Sequence, residues 1–67
     1  MKIEKGQKIK DTKPEYENDI GVIEEIQNTK KGQYVTVAWG ENTKHGEGSY
    51  GRYKPKTFGM LGRFHRA

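Results

Sequence analysis

The sequence predicts an all-β domain, a single small barrel of about five short antiparallel strands. Three observations lead there. Apolar and polar residues alternate at period 2 in several short segments. No stretch of useful length carries the 3.6-residue period of an amphipathic helix. Nine glycines and two prolines cut the 67 residues into pieces of strand length.

The third strand is the clearest. Over residues 33–39, Val35, Val37 and Trp39 fall on one face and Tyr34, Thr36 and Ala38 on the other, so the valine face should point inward. The second strand, 21–27, changes phase: Ile23 sides with Gly21, whereas Ile26 sides with Val22, as expected of a strand bent by a bulge. Between them, residues 28–32 are polar and end in Gly32, which predicts a hairpin loop and an antiparallel pair. Further strands are expected at 7–10, 49–53 and 60–64. The loop 11–19 holds Pro14, Tyr16 and several acids and is too polar for a strand, while 40–48 has three glycines and no apolar residue, so its tip is expected to be mobile. The expected core takes its aliphatic part from Ile9, Ile20, Val22, Ile23, Ile26, Val35, Val37 and Leu61. Trp39, Phe58 and one of Tyr50 and Tyr53 should complete it.

With 30% hydrophobic and 33% charged residues, the chain supports one domain with a thin core, read as residues 1–62, followed by a short basic tail at 63–67. It has no cysteine, so disulfides and thiolate metal sites do not enter. The longest uncharged run, 32–40, is far below the roughly 20 apolar residues that span a bilayer, and residues 1–10 lack the apolar middle of a secretion signal. A soluble cytoplasmic protein without membrane contact is expected. Lys8 and Lys10 would blunt an exposed edge strand, which predicts a monomer.

The order of these motifs resembles the small SH3-like barrels, and within them the Mib/HERC type, with Tudor and KOW domains as more distant relatives. The likeness is carried by Gly21, Ile23 and Ile26, then Val35, Val37, Trp39 and Gly40, then Ser49, Tyr50 and Arg52, and it spans residues 6–62. It implies a binding module that docks a peptide or an enzyme surface, and no cofactor.

Catalysis finds little to work with. Ser49, His45 and Asp19 compose a triad on paper, but the base would have to be held by a glycine-rich loop, and no base is visibly positioned; the chain is read as no enzyme. His45 and His65 are too far apart in sequence to suggest a metal site, and residues 15–19 lack the glycine and closing glutamate of a calcium loop. The run 46–51 lacks the lysine-hydroxyl ending of a phosphate-binding loop, and Glu47 would repel phosphate. His45 therefore reads as a loop histidine and 15–19 as a solvated acidic loop.

Charge distribution is more informative. Residues 1–29 hold five lysines against seven acids, and residues 30–67 hold eight Lys and Arg against two, so the halves carry −2 and +6. In the basic half, Lys44, Arg52, Lys54, Lys56, Arg63 and Arg66 interleave with Tyr50, Tyr53, Phe58 and Phe64. Cations neutralise phosphates and exposed rings stack on bases, so Lys44, Tyr50, Arg52, Lys54, Lys56, Arg63 and Arg66 are the expected binding surface for DNA or RNA. The alternative from another class is a protein-interaction module docking on an acidic partner surface, since Tyr and Arg are also the anchors of protein interfaces. Size and composition resemble the small accessory proteins of phage and mobile elements.

Overall fold

The computed structural model describes residues 2–40, 43–45 and 50–67. Five antiparallel strands form one sheet: β1 (Lys8–Asp11), β2 (Ile20–Thr29), β3 (Gly32–Trp39), β4 (Tyr50–Tyr53) and β5 (Phe64–Arg66), in the order β4-β3-β2-β1-β5. Two single 3-10 turns, Pro14–Tyr16 and Pro55–Thr57, each open on a proline whose fixed φ suits that position. The all-β class is as the period-2 pattern predicts. Among the described residues, ladder hydrogen bonds do not close the sheet into a barrel. Its two outer strands meet through side chains, the Tyr53 ring of β4 packing edge-on against Phe64 of β5 at 4.7 Å, while the backbone of Phe58 forms an isolated bridge with Phe64.

The alternation of β3 buries Val35, Val37 and Trp39 as expected. In β2 the register slips by one residue between Ile23 and Glu25: Ile23 faces Val37, Glu25 faces Thr36 and Ile26 faces Val35. That bulge answers the phase break in the sequence, because the extra residue returns Ile26 to the side of Ile23, where it packs on the core. The hairpin turn Lys30–Lys31 is tied by the Thr29 hydroxyl, which donates to the Gly32 carbonyl at 2.8 Å and accepts from the Lys31 amide at 3.2 Å. Gly21 is required for packing: a Cβ there would stand 2.7 Å from Val37 Cγ1 and 2.9 Å from Trp39 Cζ3, so only glycine lets the indole lie across β2.

The core consists of Ile9, Ile23, Val35, Val37, Trp39, Phe58 and Phe64, with Ile3, Ile26 and Tyr53 packed against it. Tyr53, one of the two tyrosine candidates, packs against this core. Several expectations are corrected. Leu61 is fully exposed, because it sits at the apex of a turn, and Ile20 is 44% exposed on the outer sheet face. The segment 63–67 is no tail: β5 pairs with β1 in the register Ile9 to Arg66 and Asp11 to Phe64, and Phe64 is completely buried. The fifth strand thus begins at Phe64, where 60–64 was expected. Consequently β1 is an inner strand, and Lys8 and Lys10 guard no edge. Among the described residues no helix is long and apolar enough to cross a membrane.

Candidate functional site

Two clusters of charged and aromatic side chains stand out, and they differ in solvation. The first is buried. The alternation that turns Ile9 inward also turns Asp11 inward, where its side chain is inaccessible to solvent. Arg63, just before β5, closes on it as a fork: Nε lies 3.0 and 2.9 Å from the two carboxylate oxygens and a terminal guanidinium nitrogen 2.6 Å from Oδ2. The Lys13 amide donates to the same carboxylate at 2.9 Å. Asp19, immediately before β2, is likewise buried and receives the backbone amides of Lys44 at 2.9 Å and His45 at 3.0 Å.

His45 joins the two acids. Its Nδ1 is 2.6 Å from Asp19 Oδ2 and its Nε2 3.1 Å from Asp11 Oδ2, with only 8% of the side chain exposed. Each ring nitrogen of His45 thus faces a carboxylate oxygen, and carboxylates only accept. The ring lies flat between Trp39, at 3.6 Å and 4°, and Tyr16, at 4.0 Å and 27°. Both contacts are face to face, so the ring is sandwiched between two aromatic surfaces.

Burial works against the Asp11 carboxylate, but hydrogen bonds from Arg63 and the Lys13 amide, the Arg63 charge and the His45 contact outweigh it and hold its pKa below the usual carboxylate value. For Asp19, burial is likewise outweighed by the Lys44 amide, the His45 ring and the His45 amide, and its pKa is also lowered. The hydrogen bond to Asp11 in turn raises the pKa of Arg63.

The sequence reading missed this cluster. His45 is a clasp that anchors residues 43–45 to the sheet, not a bland loop histidine, and Asp19 is not solvated. Its contact with Asp19 supplies two members of the paper triad, yet Nε2, the nitrogen a nucleophile would need, is directed at Asp11. Ser49, with the glycine run 46–49, lies outside the described residues. Among the described residues no group of three or more His, Asp and Glu side chains is arranged to hold a metal. Tyr16 comes into the stack because the Pro14–Tyr16 turn lifts it over His45. A signal was present: an aspartate in the inward phase of a strand demands a partner.

The second cluster is exposed and lies on the outer sheet face. Register places Gln27 opposite Tyr34, and Glu25 and Arg52 on either side of Thr36. The Arg52 guanidinium sits 5.0 Å from the Tyr34 ring centre and the Lys54 ammonium 6.0 Å from the same ring. Arg52 also reaches Gln27 Oε1 at 3.5 Å. Tyr34 and Arg52 form an open depression with Thr29, Lys30 and Lys31 of the hairpin turn. Among the described residues, none of these four cations has a carboxylate partner within salt-bridge distance.

The seven expected surface residues are thus dispersed. Arg52 and Lys54 come together around Tyr34, a ring the sequence reading had assigned only to the strand's outer face, and Lys30 and Lys31 join them from the adjacent hairpin. Tyr50 occupies β4 opposite Ala38. Lys56 lies in the Pro55–Thr57 turn. Lys44 borders a depression with Glu15, Glu17 and Asp19, an acidic neighbourhood. Arg63 is engaged with Asp11, and Arg66 is on β5, at the opposite end of the strand order from β4. Comparison with protein-family models, with curated proteins and with solved structures found no match for this chain.

Proposed function

We propose that the protein is a small non-catalytic module that binds the phosphate backbone of nucleic acid with weak sequence preference. The observation that carries this reading is the outer-face group of Lys30, Lys31, Arg52 and Lys54 arranged around Tyr34. Four cations without carboxylate partners among the described residues offer phosphates a place without an ion pair having to be broken first. The aromatic ring among them adds a flat face for a base or sugar. The SH3-like resemblance is compatible with this use and equally with a protein partner.

Fluorescence anisotropy with labelled single- and double-stranded DNA and RNA tests the reading at about 50 and 200 mM salt, where phosphate contacts produce a steep slope. Saturable binding that weakens with salt, and weakens further in Arg52→Ala/Lys54→Ala, is expected. Absence of binding at tens of micromolar protein overturns it and directs the search to an acidic protein surface.

A further inference from the structure

Met60 and Leu61 stand out among the described residues at 90% and 102% exposure. Single exposed apolar side chains are ordinary. These two are adjacent, and they occupy the central positions of a turn that is fixed from both sides. The Gly62 amide donates to the Gly59 carbonyl at 3.0 Å, and the Gly59 amide donates to the Phe64 carbonyl at 2.9 Å. The stem of the turn is the bridge between Phe58 and Phe64, both core residues. Gly62 backs directly on the preceding 3-10 turn: a Cβ there would run into the Thr57 carbonyl and stand 2.9 Å from the Lys56 carbonyl oxygen. The core thus holds up a narrow aliphatic tip that is exposed among the described residues.

Its electrostatic setting indicates what could cover it. Residues 50–67 contain no Asp or Glu and hold Arg52, Lys54, Lys56, Arg63 and Arg66. Lys56 adjoins the turn through the close approach of its carbonyl to Gly62. Arg63 is neutralised by Asp11, which leaves Lys56 and Arg66 as the nearest cations in sequence on either side. A tip that is aliphatic at its apex and cationic at its base complements a partner that is anionic outside and apolar within a few ångströms. Stacked base pairs flanked by phosphates have that arrangement. Leu and Met are also among the side chains that unstack a base step from the minor groove.

We infer that the Met60–Leu61 turn is a wedge that inserts into a base step of duplex DNA, with Lys56 beside it to meet a flanking phosphate. The inference rests on the nucleic-acid reading and adds the duplex and the mode of entry. An anionic bilayer has the same sign of charge, but surface anchors present a broad apolar face, and interfacial tips favour Trp and Tyr. Two aliphatic residues on a four-residue turn are too narrow for the first and lack the second.

The test uses the full chain and a duplex of about 20 base pairs with 2-aminopurine beside a central TA step, the most easily kinked kind. Anisotropy and 2-aminopurine emission are read on the same samples for wild type, Leu61→Ala and Met60→Ala/Leu61→Ala. Wild type should bind with a steep salt dependence while emission rises as the base unstacks. The double variant should bind about tenfold more weakly, with the same salt slope and no rise. Its melting temperature should match wild type, since neither side chain is buried. Salt-dependent binding without an emission change, or with an equal change in the double variant, overturns the wedge and leaves the nucleic-acid reading standing. No binding to any nucleic acid overturns both. Binding of anionic phosphatidylserine vesicles that depends on Leu61, without DNA binding, also overturns both and makes the turn a membrane tip.

Discussion

Arg63 and Arg52 look alike in the sequence: each is an arginine next to an aromatic residue or one position removed from one, in the same basic half of the chain. The fold gives them opposite roles. Arg63 closes as a fork on Asp11, beside a histidine held between two aromatic rings, in a largely buried cluster. Arg52 lies over Tyr34 on the open sheet face, where its neighbours Lys30, Lys31 and Lys54 are also cations. Buried charges have to be paired, because an unpaired one loses its hydration for nothing. Exposed charges keep their water and remain available to a ligand. The same composition thus serves as an internal clasp at one place and as an open cationic face at the other.

The largest effect should come from breaking the clasp. Trp39→Ala removes both a core side chain and one wall of the His45 stack and is expected to cost about 3–5 kcal/mol. Asp11→Ala leaves the Arg63 charge and the His45 ring nitrogen without their partner, at a similar cost. A 67-residue domain has about 3–10 kcal/mol in total, so either variant should be largely unfolded or melt far below wild type. Urea titration followed by circular dichroism measures this, and a wild-type midpoint for Asp11→Ala would show that the clasp contributes nothing.

Acid should weaken the clasp in a defined window. Asp11 and Asp19 have pKa values lowered by folding, so the native state holds the ionised forms more strongly than the unfolded chain does. Their contribution is fully present above the ordinary carboxylate value of about 3.9 and is lost as pH falls through the lower folded values. Melting temperature should therefore be insensitive to these two groups at neutral pH and decline below about pH 4. Asp19→Asn should start lower and decline less steeply; a decline parallel to wild type would remove Asp19 from the account.

The two arginines then separate on different readouts. Arg63→Lys retains the charge but loses the planar fork, and is expected to cost about 1–3 kcal/mol of stability with little change in nucleic-acid affinity. Arg52→Ala should leave the unfolding midpoint in place and reduce the salt slope of binding by about one phosphate. If the two variants changed the same quantity, the division between clasp and surface would fail. Smallest of all is the effect of Leu61→Ala on folding, where no shift in melting is expected because the side chain is fully exposed.

What could be read from the chain alone was set by local rules. Alternation in Val35, Val37 and Trp39 fixed which face of β3 is buried, the phase break between Ile23 and Ile26 announced the bulge, and the polar run ending in Gly32 announced the hairpin. These need only neighbours a few positions apart. Asp11 and Arg63 stand 52 positions apart, and His45 lies 34 from Asp11 and 26 from Asp19. No periodicity links such residues, so their pairing was decided only when β5 docked beside β1 and residues 43–45 met the Asp19 carboxylate. The same docking buried Phe64, which a basic segment only three strand residues long could not reveal, and lifted Leu61 out of the expected core onto a turn. Sequence determined the strands and their inward faces because side-chain direction in a strand is local. Tertiary structure decided which charges are paired and which are free to bind, because that depends on what lies across the sheet.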